Sequence, residues 1–474
     1  MRGSAQASAL PVNKDRMKAT RPPDVNDVTV KERSETTLRL QWNPVPSETA
    51  YNYTLQYSNG TKIDDITGSA GGPVTYTVRN LIAGTEYSFT LFTVLQHVDS
   101  SGHNFSATTR PSDVNDVTVK ECSETTLRLQ WNPVSSETAY NYTLQYSNGT
   151  KIDDITGSAG GPLTYTVRNL TAGTEYSFTL FTVFQHVNSS GHNFSAPTRP
   201  SDVNDVTVKE RSETTLRLQW NPVSSETAYN YTLQYSNGTK IDDITGSAGG
   251  PVTYTVRNLT AGTEYSFTLF TVFQHVNSSG QHFSNVTRPL SVIDVTVKER
   301  SETTLRLQWN PVSSETAYNY TLQFSNGTKI DDITGSAGGP VTYAVMNLTL
   351  GTVYNFTLIT VFEQVKSMGH SFSAVTIPPQ VTGLHCGYMS GGYAFSLSWN
   401  PPQGVWTQVE VEISGQSPRN VTGTKTDIVI KHVKPAQTYH ITATSVSETM
   451  KSETATFECQ TDPRVFGAEH AKYT

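Results

Sequence analysis

The sequence predicts an all-β protein built as a tandem array of five seven-stranded β-sandwiches, and three observations point there. The stretch SETTLRLQWNPV at residues 34–45 returns letter for letter from Ser123, Ser212 and Ser301. Its tryptophans, Trp42, Trp131, Trp220 and Trp309, recur every 89 residues, and Trp399 follows ninety residues on in a diverged fifth copy. Within each exact copy Leu, Leu and Trp alternate with Arg, Gln and Thr, the period-two pattern of a strand buried on one face.

A chain of 474 residues implies several domains, and the repeat sets the unit at about 90 residues. A unit of that size buries roughly 60–65% of its unfolded surface, enough for a core of its own. Dipeptides Arg21-Pro22, Arg110-Pro111, Arg199-Pro200, Arg288-Pro289 and Ile377-Pro378 open the units. The expected division is a disordered leader at 1–20, then units at 21–109, 110–198, 199–287, 288–376 and 377–463, and a tail at 464–474. The leader lacks the apolar core of a secretory signal. The short proline-containing joints suggest a string of beads with restricted hinges.

The elements of the first unit follow in order. Residues 27–30 form a short strand, and 36–42 form the tryptophan strand, which Pro44 ends because it cannot donate to a ladder. Residues 52–57 place Tyr53, Leu55 and Tyr57 on one face, with Asn52 and Thr54 on the opposite, solvent-facing side where a glycan is tolerated. Ser58-Asn59-Gly60-Thr61 reads as a tight turn, because Asn-Gly reaches positive φ cheaply. Strands at 62–66, 74–81, 86–95 and 104–109 complete seven, with a flexible glycine loop at 68–72 and a polar loop before the last strand. Tyr87 opens the sixth strand after a glycine-containing corner, where its hydroxyl can return to the backbone and lock the turn. The matching residues are Tyr176, Tyr265, Tyr354 and Tyr439.

An early Trp, a corner Tyr, a 90-residue period and no cysteine in units one, three and four resemble the fibronectin type III module, an immunoglobulin-like sandwich, from residue 21 to about 462. The five tryptophans and the five corner tyrosines named above are the expected structural core.

Several function classes are disfavoured. The net charge is −7 without a Lys/Arg cluster, so a nucleic-acid partner is unsupported. No apolar run reaches the ~20 residues of a membrane span. Paired histidines recur (His97 and His103, His186 and His192, His275 and His282), yet metal binding needs three or four converging ligands, and no metal or cofactor site is assigned. The recurring Lys62-Ile63-Asp64-Asp65 reads as a solvated edge, and no Arg-Gly-Asp is present. His385-Cys386 opens like a tyrosine-phosphatase loop, but the sixth residue after Cys386, where that loop needs an Arg to cradle phosphate, is Gly392. No catalytic residue is assigned, and the chain is read as non-enzymatic.

Asn-x-Ser/Thr sequons are the densest chemical signal. They fall at Asn52, Asn59 and Asn104 in unit one, and at Asn141, Asn148, Asn169, Asn188 and Asn193 in unit two. Unit three has Asn230, Asn237, Asn258, Asn277 and Asn285; unit four has Asn319, Asn326, Asn347 and Asn355; unit five has Asn420. N-linked glycans and secretory-pathway exposure are the expectation. Cys386 is expected to close the first strand of unit five and Cys459 to lie late in its last strand; in a seven-strand count these strands run the same way, so both ends share a pole. A disulfide is read ahead of two buried free thiols. Cys122 replaces Arg33, Arg211 and Arg300 of its sister units and is read as exposed.

Near-identical units crowded with sequons, ending in a diverged cysteine-containing unit, resemble the ectodomain of a vertebrate receptor-type tyrosine-protein phosphatase, eta/H-like. The segments carrying the likeness are SETTLRLQWNPV, YNYTLQYSNGT and GTEYSFTLFTV. The resemblance implies an extracellular protein-interaction, adhesion and spacer array with an extracellular or cell-surface protein ligand. The alternatives are a tenascin-like matrix rod, or part of an enzyme whose phosphatase domain lies outside this chain.

Overall fold

The computed structural model describes residues 20–463 apart from 47–49, 69–70, 136–137, 225–226, 248, 314 and 390. The expected leader, Thr20 apart, the expected tail and the middle of the glycine loop at 68–72 lie outside the described residues. Every regular element described is a β-strand. They group into two compact units: modules one and two with Tyr229–Thr232 and Phe270–Gly280, and the rest of module three with modules four and five.

In module one the strands are β1 (Val28–Arg33), β2 (Leu38–Trp42), β3 (Asn52–Tyr57), β4 (Lys62–Thr67), β5 (Val74–Val78), β6 (Glu86–Leu95), β7 (Val98–Asp99) and β8 (His103–Thr108). One antiparallel sheet has the order β1-β2-β5. The other runs β4-β3-β6-β7, with β8 also on β6. Val28 pairs with Trp42 and Trp42 with Val74, so the tryptophan strand is central in its sheet and takes ladder bonds on both sides.

β7 and β8 flank β6 on the same side, Val94 opposite Asp99 and Leu91 opposite His103, so they are one seventh strand interrupted at residues 100–102. At the break Asp24 accepts from the Gly102 N–H at 2.6 Å and from the Ser101 hydroxyl, although modules four and five break at the same place with no carboxylate there. The polar loop read before the last strand therefore contains a two-residue strand.

The core is the space between the sheets. Leu38, Leu40 and Trp42 point into it from β2, and Tyr53, Leu55, Phe89 and Leu91 meet them from β3 and β6. Trp42 and Tyr53 stand edge to face, centroids 5.2 Å apart, an arrangement favoured by their ring quadrupoles. Arg39 and Gln41 project from the other face of β2, and Arg39 pairs with Glu32 at 3.0 Å.

Module two repeats the plan with β9 (Val117–Cys122), β10 (Leu127–Trp131), β11 (Asn141–Tyr146), β12 (Lys151–Thr156), β13 (Leu163–Val167), β14 (Glu175–Phe184), β15 (Val187–Asn188) and β16 (His192–Pro197). Modules three, four and five have the same three- and five-stranded sheets.

Three readings need correction. Thr54 is buried, as Thr143 is in module two, and donates its hydroxyl to the Asp64 carboxylate at 2.9 Å. The carboxylates at 64–65 are both exposed on the edge strand β4, as a solvated edge requires. Cys122 is half-buried and packs against the module-two core, since it ends β9 opposite Leu127. Cys386 does not close its strand: Thr382–Tyr388 runs two residues further.

Candidate interaction surfaces and joints

The tryptophans Trp42, Trp131, Trp220, Trp309 and Trp399 are at most 4% exposed, one per core. The corner tyrosines share one bond. The N–H five residues upstream donates to the phenol oxygen: Ile82 to Tyr87 at 2.8 Å, Thr171 to Tyr176 at 2.9 Å, Thr260 to Tyr265 at 2.8 Å, Thr349 to Tyr354 at 2.7 Å and Lys434 to Tyr439 at 2.8 Å. These bonds pin the corners that present the loops at one end of each sandwich.

Module five has a different staple. Cys386 in the three-stranded sheet and Cys459 in the five-stranded sheet form a disulfide, with Cα atoms 6.0 Å apart. Its sulfur is spent in that bond, so Cys386 offers no thiolate nucleophile.

All eighteen sequon asparagines lie in described residues, and all but the half-buried Asn285 are exposed. Asn59, Asn148, Asn237 and Asn326 sit in hairpin turns, where each carbonyl oxygen accepts from the N–H two residues on, at 2.9 to 3.0 Å. Gly60 supplies the positive φ of +87° that closes the first of these turns. Asn104 and Asn193 stand on the outer face of the last strand, where their oxygens accept from Thr90 at 2.7 Å and Thr179 at 2.6 Å. Among the described residues no group of three or more His, Cys, Asp or Glu could hold a metal ion. None of their helices is long and apolar enough to cross a membrane.

The joints are what the sequence reading missed. Tyr140 of module two is 8% exposed because its ring lies over Gly84 in the corner of module one; a Cβ there would meet the Tyr140 hydroxyl at 2.6 Å. Phe184 braces the ring edge-on, centroids 5.6 Å apart. Beside it Gln185 bridges, donating to Glu86 at 2.9 Å and accepting from Thr108 at 2.8 Å, while Ser112 donates to Glu35 at 3.0 Å. The motif recurs: Tyr229 donates to the Gly173 carbonyl at 3.4 Å, and Tyr318 to that of Gly262 at 3.3 Å. The fourth joint differs. Val405 donates its N–H to Leu350 at 3.0 Å, and Ser447 its hydroxyl to Gly351 at 2.6 Å.

Each module's entry segment is tied to its own seventh strand. Asp113 accepts from Ser190 and the Gly191 N–H, both at 2.6 Å. Burial pushes the Asp113 carboxyl up, but hydrogen bonds from Ser189, Ser190 and Gly191 outweigh it and hold the group below its usual value. In module four Ser291 takes this place and accepts only from the Gly369 N–H, at 2.9 Å.

The model of the fibronectin type III domain matches residues 21–108, 110–201, 195–290, 284–374 and 378–458. The chain belongs to the fibronectin type III family. It is similar to receptor-type tyrosine-protein phosphatase eta of Gallus gallus, 26% identical over 470 residues, which cover 94% of this chain and 32% of that one. It is also similar to receptor-type tyrosine-protein phosphatase H of Homo sapiens (25% identity, 94% of this chain, 41% of that one). Tenascin of Gallus gallus is 24% identical over 86% of this chain and 24% of its own. The chain thus spans well under half the length of these relatives.

Proposed function

We propose that this chain is an extracellular protein-interaction, adhesion and spacer array, N-glycosylated, and part of the ectodomain of a cell-surface receptor of the receptor-type tyrosine phosphatase kind. The observation that carries the reading is the coincidence of five fibronectin type III modules with eighteen sequons whose asparagines, Asn285 apart, face solvent. Binding in such folds resides in loops and outer faces, since the inner faces are consumed by the core. The Tyr-on-Gly joints fit a spacing role, because each fixes one module's entry against its predecessor's corner. No phosphatase chemistry is assigned to any residue here.

The similarity to tenascin supports a second reading, a secreted matrix rod. A screen separates the two: the secreted chain, clustered to gain avidity, is applied to cells displaying a library of surface proteins. Saturable binding to one protein supports the receptor reading. Absence of saturable binding across the library supports the rod.

A further inference from the structure

Outward side chains on the five-stranded sheet are not uniform in height. In module one Ser58, Ser88 and Ser106 form a row of small residues across β3's end, β6 and β8: Ser106 stands opposite Ser88, and the Ser58 N–H donates to Ser88 at 3.0 Å. The next row holds Thr90 opposite Asn104. Short serines beside taller neighbours leave a shallow groove of about 360 Å³ lined by Ser58, Ser88, Thr90, Asn104 and Ser106. Module two has the same groove, about 370 Å³, at Ser147, Ser177, Thr179, Asn193 and Ser195.

The asparagine in each groove is oriented. Its carbonyl oxygen is held by the threonine opposite, leaving the amide nitrogen as the free end. N-glycosylation uses that nitrogen: the N–C1 bond to the sugar forms as the C1–O bond to a lipid pyrophosphate donor breaks, and the amide proton leaves with the pyrophosphate. The carbonyl oxygen is untouched, so the threonine bond survives attachment. Hydroxyls of the serine row then offer donors and acceptors to the hydroxyls and acetamido group of the first sugar.

Module four moves the acceptor but keeps the patch. Ser371 replaces the asparagine and bonds Thr357 at 3.0 Å, while Asn355 enters the serine row itself. Its place is fixed by the Ser325 N–H, which donates to Asn355 at 3.0 Å as Ser58 does to Ser88. Asn355 stands opposite Ser373, diagonal to the position lost at Ser371 and within reach across neighbouring strands.

We infer that this outer-face groove is a built seat for the first N-acetylglucosamine of an N-linked glycan, on Asn104 and Asn193 and, from the shifted position, on Asn355. The turn sites Asn59 and Asn148 follow Ser58 and Ser147 at the rims of these grooves but are not part of the lining, and in the inference their sugars point away from the seat. The inference rests on the glycoprotein reading above.

The test uses the full chain secreted from animal cells. Occupancy is mapped by glycopeptide mass spectrometry, and release by peptide-N-glycosidase is timed on folded and on denatured protein. Release at Asn104 and Asn193 is expected to be at least tenfold slower than at Asn148 in the folded protein, with the difference gone after denaturation. Ser88→Gln and Ser177→Gln fill the grooves and leave both sequons intact; they should bring release to the Asn148 rate. Equal folded-state rates, no effect of the groove-filling variants, or empty Asn104 and Asn193 beside occupied turn sites overturns the seat alone. Absence of glycan from every sequon overturns the glycoprotein reading, and the seat with it.

Discussion

The Tyr140 ring of module two covers Gly84 of module one so closely that the glycine has no room for a side chain. Gly84 also has a φ of +57°, where a Cβ is strained in its own right. Gly84→Ala should therefore destabilise for two separable reasons, the backbone and the collision with Tyr140. A double-mutant cycle with Tyr140→Ala in the two-module segment separates them. The loss from Gly84→Ala is expected to shrink by more than about 0.5 kcal/mol once the ring is gone. Strict additivity would mean that the joint carries no coupling.

Two phenols in module two make opposite demands. Tyr176 accepts the corner N–H of Thr171, whereas the Tyr142 hydroxyl is fully buried, with the Trp131 ring and the Val134 backbone near it but outside good hydrogen-bond geometry. Tyr176→Phe should cost about 1 kcal/mol, while Tyr142→Phe should cost less, because the contacts of its hydroxyl are poorly aligned and little is lost with them. Denaturant unfolding of both variants checks the order, and a larger loss from Tyr142→Phe would refute it.

The core and the corners were legible in the sequence because they are local. Leu127, Leu129 and Trp131 announce their face by alternation, and Tyr176 lies five residues from the N–H it receives. The joints were not, for a physical reason. Strand parity places Tyr140 on the same side as Tyr142 and Leu144, but what it meets is a glycine 56 residues earlier, in another core. The tie between the entry segment and the seventh strand was hidden likewise, since Asp113 meets Ser190 and Gly191 some 77 residues away. Thr54 looked exposed because alternation identifies the core face and is silent about what covers the other, where Thr54 and Thr143 are both buried.

Asp113 should give the array part of its acid sensitivity. Its folded-state carboxyl lies below the usual range, so its stabilisation is complete above the unfolded value near ~4 and is lost as pH falls through the folded value. Asp113→Ser, copying module four, should lower stability at pH 7 and differ progressively less from the parent below about pH 4. Thermal melts across pH 2–7 would show the curves converging. A gap that persists undiminished at pH 2 would exclude the charge as the cause.

Module five should depend on its disulfide. The bond closes 73 residues of chain, which in a chain-entropy account is worth roughly 4 kcal/mol. Reduction, or Cys386→Ser with Cys459→Ser, should lower the unfolding midpoint of module five and leave modules one to four unchanged. Hydrogen exchange read module by module distinguishes this from a global effect.

Glycopeptide and free-thiol mapping of the chain secreted from animal cells tests the central claim, an extracellular glycosylated array, most directly. The account predicts glycans on exposed turn asparagines such as Asn148, Asn237 and Asn326, with Cys386 and Cys459 joined and Cys122 the one alkylatable thiol. Folded protein with every sequon bare and all three thiols reactive would contradict it.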